Sequence, residues 1–230
     1  MKKINDLQKL NFYIKQYNID EIFSSDMTEY MELHLFNKDE HIYRSGDPIT
    51  YFYFLIDGKL KIYTLLENGK SLLLRFYKPL SLIGDIEISY NNIIDCHVEV
   101  IKQALCIGIS IDNINKYAFN DPIFLRYLCK SLSQKLIIGS VSNSINLLYP
   151  LENRLASYLL SISSSNEINS ISTIKTTNLT HIAELLGTSY RHLLRVINKL
   201  CALNIIKRDK KTIIILDRDS LVKLAGDIYK

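Results

Sequence analysis

From about residue 33 to residue 111 the apolar residues fall in short or alternating runs cut by turn residues. Phe52–Ile56 is followed by Asp57-Gly58, Leu60–Leu66 by Glu67-Asn68-Gly69-Lys70, and then Ser71–Tyr77 begins. Asp-Gly and Asn-Gly between β-rich runs mark hairpins, because a tight primed turn requires φ > 0. Strands at this spacing predict a compact antiparallel barrel or jelly roll, an arrangement that limits exposed edges. The preceding segment, 5–31, is mixed, with helical spacing at Leu7, Leu10 and Ile14.

The period then changes. Asp121-Pro122 reads as a helix start with proline at the first helical position, and no proline follows until Pro150. Leu125, Leu128, Leu132 and Leu136 repeat at helical spacing, and Ile138, Val141, Ile145 and Leu148 continue on a shifted line. A helix of about 28 residues spans about 42 Å, too long to serve only as the lid of a small barrel. The first stripe is expected to pack on the barrel, the second on a partner helix in a parallel two-stranded coiled coil. Burial of both stripes within one chain is the alternative. After Pro150, Arg154–Leu160 is a further helix, and Ser161–Asn169 a polar loop.

Residues 178–199 give the sharpest pattern. Two short helices need a small residue where they cross, here Ala183, and a residue tolerant of φ > 0 between them, here Gly187. Ile182, Leu186, Leu193, Val196 and Ile197 supply apolar anchors, and Thr188 or Ser189 can cap the second helix. That is the pattern of a helix-turn-helix. Residues 205–216 read as a hairpin with a charged tip, the wing of a winged variant. The face left outward by the anchors is Ser189, Tyr190, Arg191, His192, Arg195 and Lys199. Arg195 is the first candidate for base reading, since a guanidinium can bond guanine O6 and N7 together. Arg191 reads a base or holds phosphate; Ser189, Lys199 and the distal basic residues suit phosphate. His192 donates to phosphate or stays simply exposed.

Charge sharpens this picture. The net charge is only +4, but residues 177–216 hold seven Lys/Arg against Glu184 and Asp209, while 1–176 hold 18 basic and 19 acidic residues. A positive block at one end is the footprint of a chain that neutralises phosphates with that end. At 230 residues, two domains are the fair expectation. No apolar run approaches the roughly 18 residues a bilayer span needs, and the N-terminus lacks a signal-peptide core. A cytoplasmic location without membrane association is expected. Cys96, Cys106, Cys129 and Cys201 lie far apart without a CxxC pair, which argues against a zinc knuckle or a disulfide framework.

Over nearly its whole length the chain resembles the Crp/Fnr family of transcription regulators. The features are the glycine-punctuated roll (Gly46, Gly58, Gly69, Gly84), the long helix from 122, Arg154-Leu-Ala…Leu-Leu160, and Ala183…Gly187…Arg195. Gly84-Asp85-Ile86-Glu87, Phe124-Leu-Arg…Leu-Cys129 and Gly187–Leu194 look closer still to its YeiL-like subgroup. The resemblance implies an α+β chain. An N-terminal antiparallel β-roll or jelly roll, cyclic-nucleotide-binding-domain-like, spans 1–120 as sensor. A long dimerisation helix spans 121–149, and a C-terminal winged helix-turn-helix spans 150–230. It implies a homodimer on a near-palindromic double-stranded DNA operator, with RNA polymerase as a further partner. Where the family's recognition helix has Arg-Glu after Ser189, this chain has Tyr190-Arg191, which implies an altered operator because arginine cannot accept from cytosine N4.

The same resemblance places an effector pocket at Gly84, Asp85, Ile86 and Glu87, with Ile94-Asp95 where the family holds the cyclic phosphate through Arg-Ser or Arg-Thr, and Ser140 at a base-contacting position. No Lys or Arg occurs between Lys78 and Lys102, and Asp85, Glu87, Asp95 and Glu99 lie in that stretch. A carboxylate 4 Å from phosphate is repelled by about 4 kcal/mol at an effective dielectric of 20. The expectation is an effector other than cAMP, with no resident cofactor or metal. The alternatives are a redox or metal sensor built on Cys96, Cys106 and Cys129, with His97, and a regulator acting by protein contact without DNA. An enzyme of the cupin kind is disfavoured, because His34, His41, His97, His181 and His192 form no HxH pair.

Overall fold

A computed structural model describes residues 1–66, 71–163, 172–175, 178–210 and 212–226. Two compact units emerge, one of Met1–Thr64 with Phe76–Ile138, the other of Leu65–Arg75 with Gly139–Lys230. In chain order the elements begin with β1 (Lys2–Ile4), α1 (Leu7–Gln16), β2 (Met31–Phe36), β3 (His41–Tyr43), β4 (Tyr51–Asp57), β5 (Leu60–Leu65) and β6 (Ser71–Tyr77). Then come β7 (Leu82–Ile83), α2 (Asp85–Ile88), β8 (His97–Val100), β9 (Ala104–Ser110), α3 (Ile111–Asn113) and α4 (Pro122–Leu148). The remainder is α5 (Leu151–Ile162), β10 (Ser172–Lys175), α6 (Leu179–Leu185), α7 (Tyr190–Ala202), β11 (Ile206–Asp209), β12 (Thr212–Ile215) and α8 (Arg218–Ala225).

The roll consists of two sheets, ordered β1-β2-β9-β4-β7 and β3-β8-β5-β6. The run Phe52–Ile56 is apolar at every position because β4 is covered on both faces. Phe52 lies 5.6 Å and Phe23 5.3 Å, ring centre to ring centre, from Phe124 of α4, while Tyr53 turns to His34 of β2. Gly108 of β9 sits between those strands, paired with both Glu32 and Tyr53. A Cβ there would stand 2.6 Å from the Tyr53 ring, so only glycine lets that ring cross β9 to His34.

The Asp57-Gly58 expectation is half correct. Gly58 does take φ +97, but β4 and β5 do not pair; they lie in different sheets, and the turn carries the chain from one to the other. A Cβ on Gly58 would meet the carbonyl of Gln103 at 2.5 Å, so the constraint comes from a neighbouring strand end as well as from φ. β5 and β6 are neighbours, as a hairpin requires, and the turn Glu67–Lys70 lies outside the described residues.

Asp121 caps α4 by accepting from Ile123 N at 2.9 Å and from Ser24 N at 2.6 Å, which also ties the helix start to the loop after α1. Phe124 and Leu128 are buried, with Leu125 and Leu132 packed against the same core. Leu136, expected in that stripe, is 73% exposed. Ile138, Val141 and Leu148 of the second stripe are exposed; the side chain of Ile145 lies outside the described residues. Ser161 and Ile162, expected in a loop, continue α5, and 164–169 are outside the described residues. In the second unit β10, which the sequence reading passed over, pairs with β12 to give the sheet order β10-β12-β11. Among the described residues no helix is long and apolar enough to cross a membrane.

His34 is fully buried, its Nδ1 3.0 Å from Tyr53 Oη and its Nε2 3.0 Å from Glu32 Oε2. Burial lowers its pKa, opposed by Glu32, and burial also lowers His41 and His97. The folded state therefore binds fewer protons than the unfolded chain once the pH falls to about 6.5, the unfolded histidine value. Stability present above that pH is lost below it. Thermal melts from pH 8 to pH 5 should show Tm falling through this window, less steeply in His34→Gln; identical acid limbs would refute the assignment.

Candidate nucleic-acid interface and effector segment

The helix-turn-helix is built from local satisfaction of backbone groups. Asn178 Oδ1 accepts from Thr180 N at 2.9 Å and from His181 N at 3.4 Å, which starts α6. Gly187 takes φ +60 and donates to Glu184 O at 2.8 Å; Thr188 N donates to Ala183 O at 2.9 Å. Arg154 of α5 donates to Leu186 O, a carbonyl at the helix end. Ser189 then caps α7, its Oγ accepting from His192 N at 3.2 Å. Ile182, Ala183, Leu186, Leu193, Val196, Ile197 and Leu200 are all buried.

Ser189, Tyr190, Arg191, His192, Arg195 and Lys199 are all exposed, as the spacing requires. They are not equally available. Ser189 is engaged as the cap, and His192 Nδ1 is 3.2 Å from Thr188 Oγ1. Lys199 Nζ pairs with Glu152 Oε1 of α5 at 2.7 Å. Asn198 is exposed too, and the sequence reading missed it. At about 100° per residue, Arg191, Arg195 and Asn198 share an arc of about 60° opposite Leu193 and Leu200. The i, i+4 and i+7 spacing was the signal that could have found it. Beside this helix, β11 and β12 pair in register from Ile206↔Ile215 to Asp209↔Thr212, with Lys210 at φ +47 in the tip and Lys207, Arg208 and Lys210 exposed. Lys211 is outside the described residues.

In the other unit, Gly84 at φ +99 leads from β7 into α2. Asp85 is buried, and its carboxylate is not presented to an open pocket. Lys135 of α4 bonds Asp85 Oδ1, and Ser131 Oγ donates to Asp85 Oδ2 at 2.8 Å. This corrects the repulsion expected of Asp85: the compensating cation comes from a distant helix that counting from Lys78 to Lys102 could not reveal. Burial opposes the charge on Lys135, but Tyr77 and Asp85 outweigh it and raise its pKa. Ile86 and Glu87 are half-buried. Burial raises the Glu87 carboxyl, with Asp85 and Asp95 adding and Lys135 opposing. Ile94 is buried among core residues, its backbone bonded to Gly46 and Asp47, and Asp95 is exposed. Ser140 belongs to the second unit and is exposed on α4.

Cys106 is fully buried on β9, its thiol pushed up by burial; Cys129 is exposed and Cys96 half-buried. A buried neutral thiol is a poor redox centre or metal ligand. Among the described residues no cluster of three or more His, Cys, Asp or Glu could hold a metal. His41 and His97, distant in sequence, do meet, with ring centres 6.0 Å apart, beside Glu99 and Tyr63.

Residues 33–121 match the family model of the cyclic nucleotide-binding domain, and residues 153–224 that of the Crp-like helix-turn-helix domain. The chain is 30% identical to the regulatory protein YeiL of Escherichia coli O157:H7 over 205 residues, covering 89% of this chain and 90% of that protein. It is 24% identical over 194 residues to an anaerobic regulatory protein of Haemophilus influenzae, across 82% of this chain and 74% of that one. In fold it is similar to a Crp/Fnr-family transcriptional regulator of Thermus thermophilus (TM-score 0.68, 22% identity, 86% of this chain, 100% of the other). A Crp/Fnr-family structure from Eubacterium rectale aligns with TM-score 0.73 at 18% identity, over 86% of this chain and 91% of that one. The chain belongs to the Crp/Fnr family, in its YeiL-like branch, and is a transcription regulator with a helix-turn-helix DNA-binding domain.

Proposed function

We propose that this regulator works in the cytoplasm as a homodimer on a near-palindromic operator and hands its signal to RNA polymerase. The proposed division of labour is a sensor in 1–120, a dimerisation helix in 121–149 and a DNA-binding domain in 150–230. The observation that carries the reading is the exposed face of α7, where Arg191, Arg195 and Asn198 project from a helix fixed by two caps and a buried stripe. Arg195 reads guanine, and Asn198 has the donor and acceptor pair that matches adenine. Arg191 reads a neighbouring base or holds phosphate. Lys207, Arg208 and Lys210 of the wing hold phosphate without reading sequence. Lys199 acts first as a tie to Glu152 and only second as a phosphate contact.

The dimer reading rests on α4, whose exposed Ile138, Val141 and Leu148 fall on the spacing of a coiled-coil seam. A two-fold dimer favours half-sites about one helical turn apart.

The effector segment does not fit a cyclic nucleotide. The acid of the Gly84-Asp85 pair is already bonded twice, by Lys135 and Ser131. At the phosphate position, Ile94 is buried in the core and Asp95 is an exposed acid. A cyclic phosphate there lacks its charge-assisted donor.

On a duplex recovered from a randomised pool, Arg195→Ala should weaken binding by about 1–3 kcal/mol and relax preference at one base step, whereas Lys207→Ala should weaken all duplexes alike and flatten the salt dependence. Binding insensitive to salt would remove the DNA reading. Val141→Asp with Ile138→Asp should give monomers in sedimentation and weaken operator binding by at least about 100-fold, as loss of one half-site contact demands. Calorimetric titration with cAMP should show no binding; a micromolar or tighter site at Asp85 would overturn the effector assignment.

A further inference from the structure

In the segment read above as the effector position, the buried acid Asp85 takes its cation from the chain itself. The carboxylate of Asp85 is 1% exposed, and the amino group of Lys135 touches three different kinds of partner. It bonds Asp85 Oδ1, donates to Leu82 O at 2.9 Å, and lies 4.6 Å from the centre of the Tyr77 ring. A carboxylate, a backbone carbonyl and an aromatic face around one ammonium satisfy both its donors and its charge. Ser131 stands four residues before Lys135 and so on the same face of α4; it bonds the other carboxylate oxygen at 2.8 Å. Both oxygens of one acid are thus held by one helix.

The backbone that aims this acid is constrained as well. Gly84 takes φ +99, a conformation that favours glycine, and a Cβ there would stand 2.6 Å from Ile49 Cδ1 and 3.3 Å from Tyr51 O. Glu87, half-buried in the same segment, adds a second acid near Lys135. The cage therefore carries acids and π density, with its one amino group entering from α4.

We propose that this cage is the ligand position of the roll and that Lys135 is its tethered ligand, so that a small molecule competing there is a primary amine or other organic ammonium rather than an anion. This rests on reading the N-terminal unit as the sensor. It also assigns Lys135 as the positioning residue that ties the effector segment to α4, because displacement of its amino group would release that helix from α2.

Chemical rescue tests the assignment in the full-length chain. Lys135→Ala removes the equivalent of one propylammonium, leaving the cage and an empty slot leading to it. Its Tm should fall and then recover as propylammonium chloride is added, with at least half of the loss regained at saturation. Equal sodium chloride, sodium propionate and cAMP should restore nothing, and Asp85→Asn added to Lys135→Ala should abolish the rescue. Recovery with salt or propionate, or rescue that survives Asp85→Asn, would overturn the proposal. If Lys135→Ala does not fold, the wild-type protein decides it by timed acetylation. Exposed Lys130 should then react at least roughly tenfold faster than the caged Lys135, and equal rates would overturn the cage. DNA binding of the wild type is measured separately, so failure here and failure of the regulator reading give different results.

Discussion

A carboxylate removed from water must find a cation, and in the N-terminal unit that requirement connects α2 to the long helix. Between Pro79 and Ile101 the chain offers no Lys or Arg, so Asp85 can be buried charged only if another element reaches it. Helix α4 does so with Lys135, and adds Ser131 for the second oxygen. Losing one partner of such a pair costs about 3–5 kcal/mol, because the other charge is stranded. Replacing both by apolar residues can cost nothing. The pair is therefore better understood as a device that fixes where α4 sits on the roll than as a source of net stability.

The other fixed point of α4 is its start. Asp121 caps it, and Phe124 enters the aromatic group of Phe23, Phe52 and Phe54. Between Phe124 and Lys135 the helix is therefore held by apolar packing at one end and by a charge pair at the other. Further along, Leu136, Ile137, Ile138, Val141, Leu147 and Leu148 are apolar and exposed. An exposed apolar stripe that continues a buried one is costly in water unless a second surface covers it.

What was legible in the sequence was what is local. The helix-turn-helix could be read because its cap, its φ > 0 residue and its anchors fall within about two dozen consecutive positions, and each has a chemical reason to be there. The start of α4 was legible for the same reason, in Asp121-Pro122. At Gly58 the local conformation was right and the pairing wrong, since a turn's dihedral angles do not say whether the flanking strands stay in one sheet. Strand β10 was missed because four residues carry little periodicity; its pairing with β12 supplies what its sequence lacks. Lys135 with Asp85, and His41 with His97, were invisible because the partners lie far apart along the chain and no periodicity links them. Asn198 was overlooked although its helical phase with Arg191 and Arg195 was present in the sequence.

The charge distribution and the helix then bear on one another. Between 177 and 216 the basic residues lie on α7 and the wing, but Lys199 is drawn back to Glu152 on α5, so part of that charge serves to seat α7 rather than to meet phosphate. Arg154, from the same helix α5, holds the turn through Leu186 O. Helix α5 therefore fixes both ends of the reading element: the turn before α7 through Arg154, and its last turn through Lys199. A signal that alters DNA affinity must be worth more in one state of the regulator than in the other. A signal that moved α7 alone would first have to break both of these ties to α5.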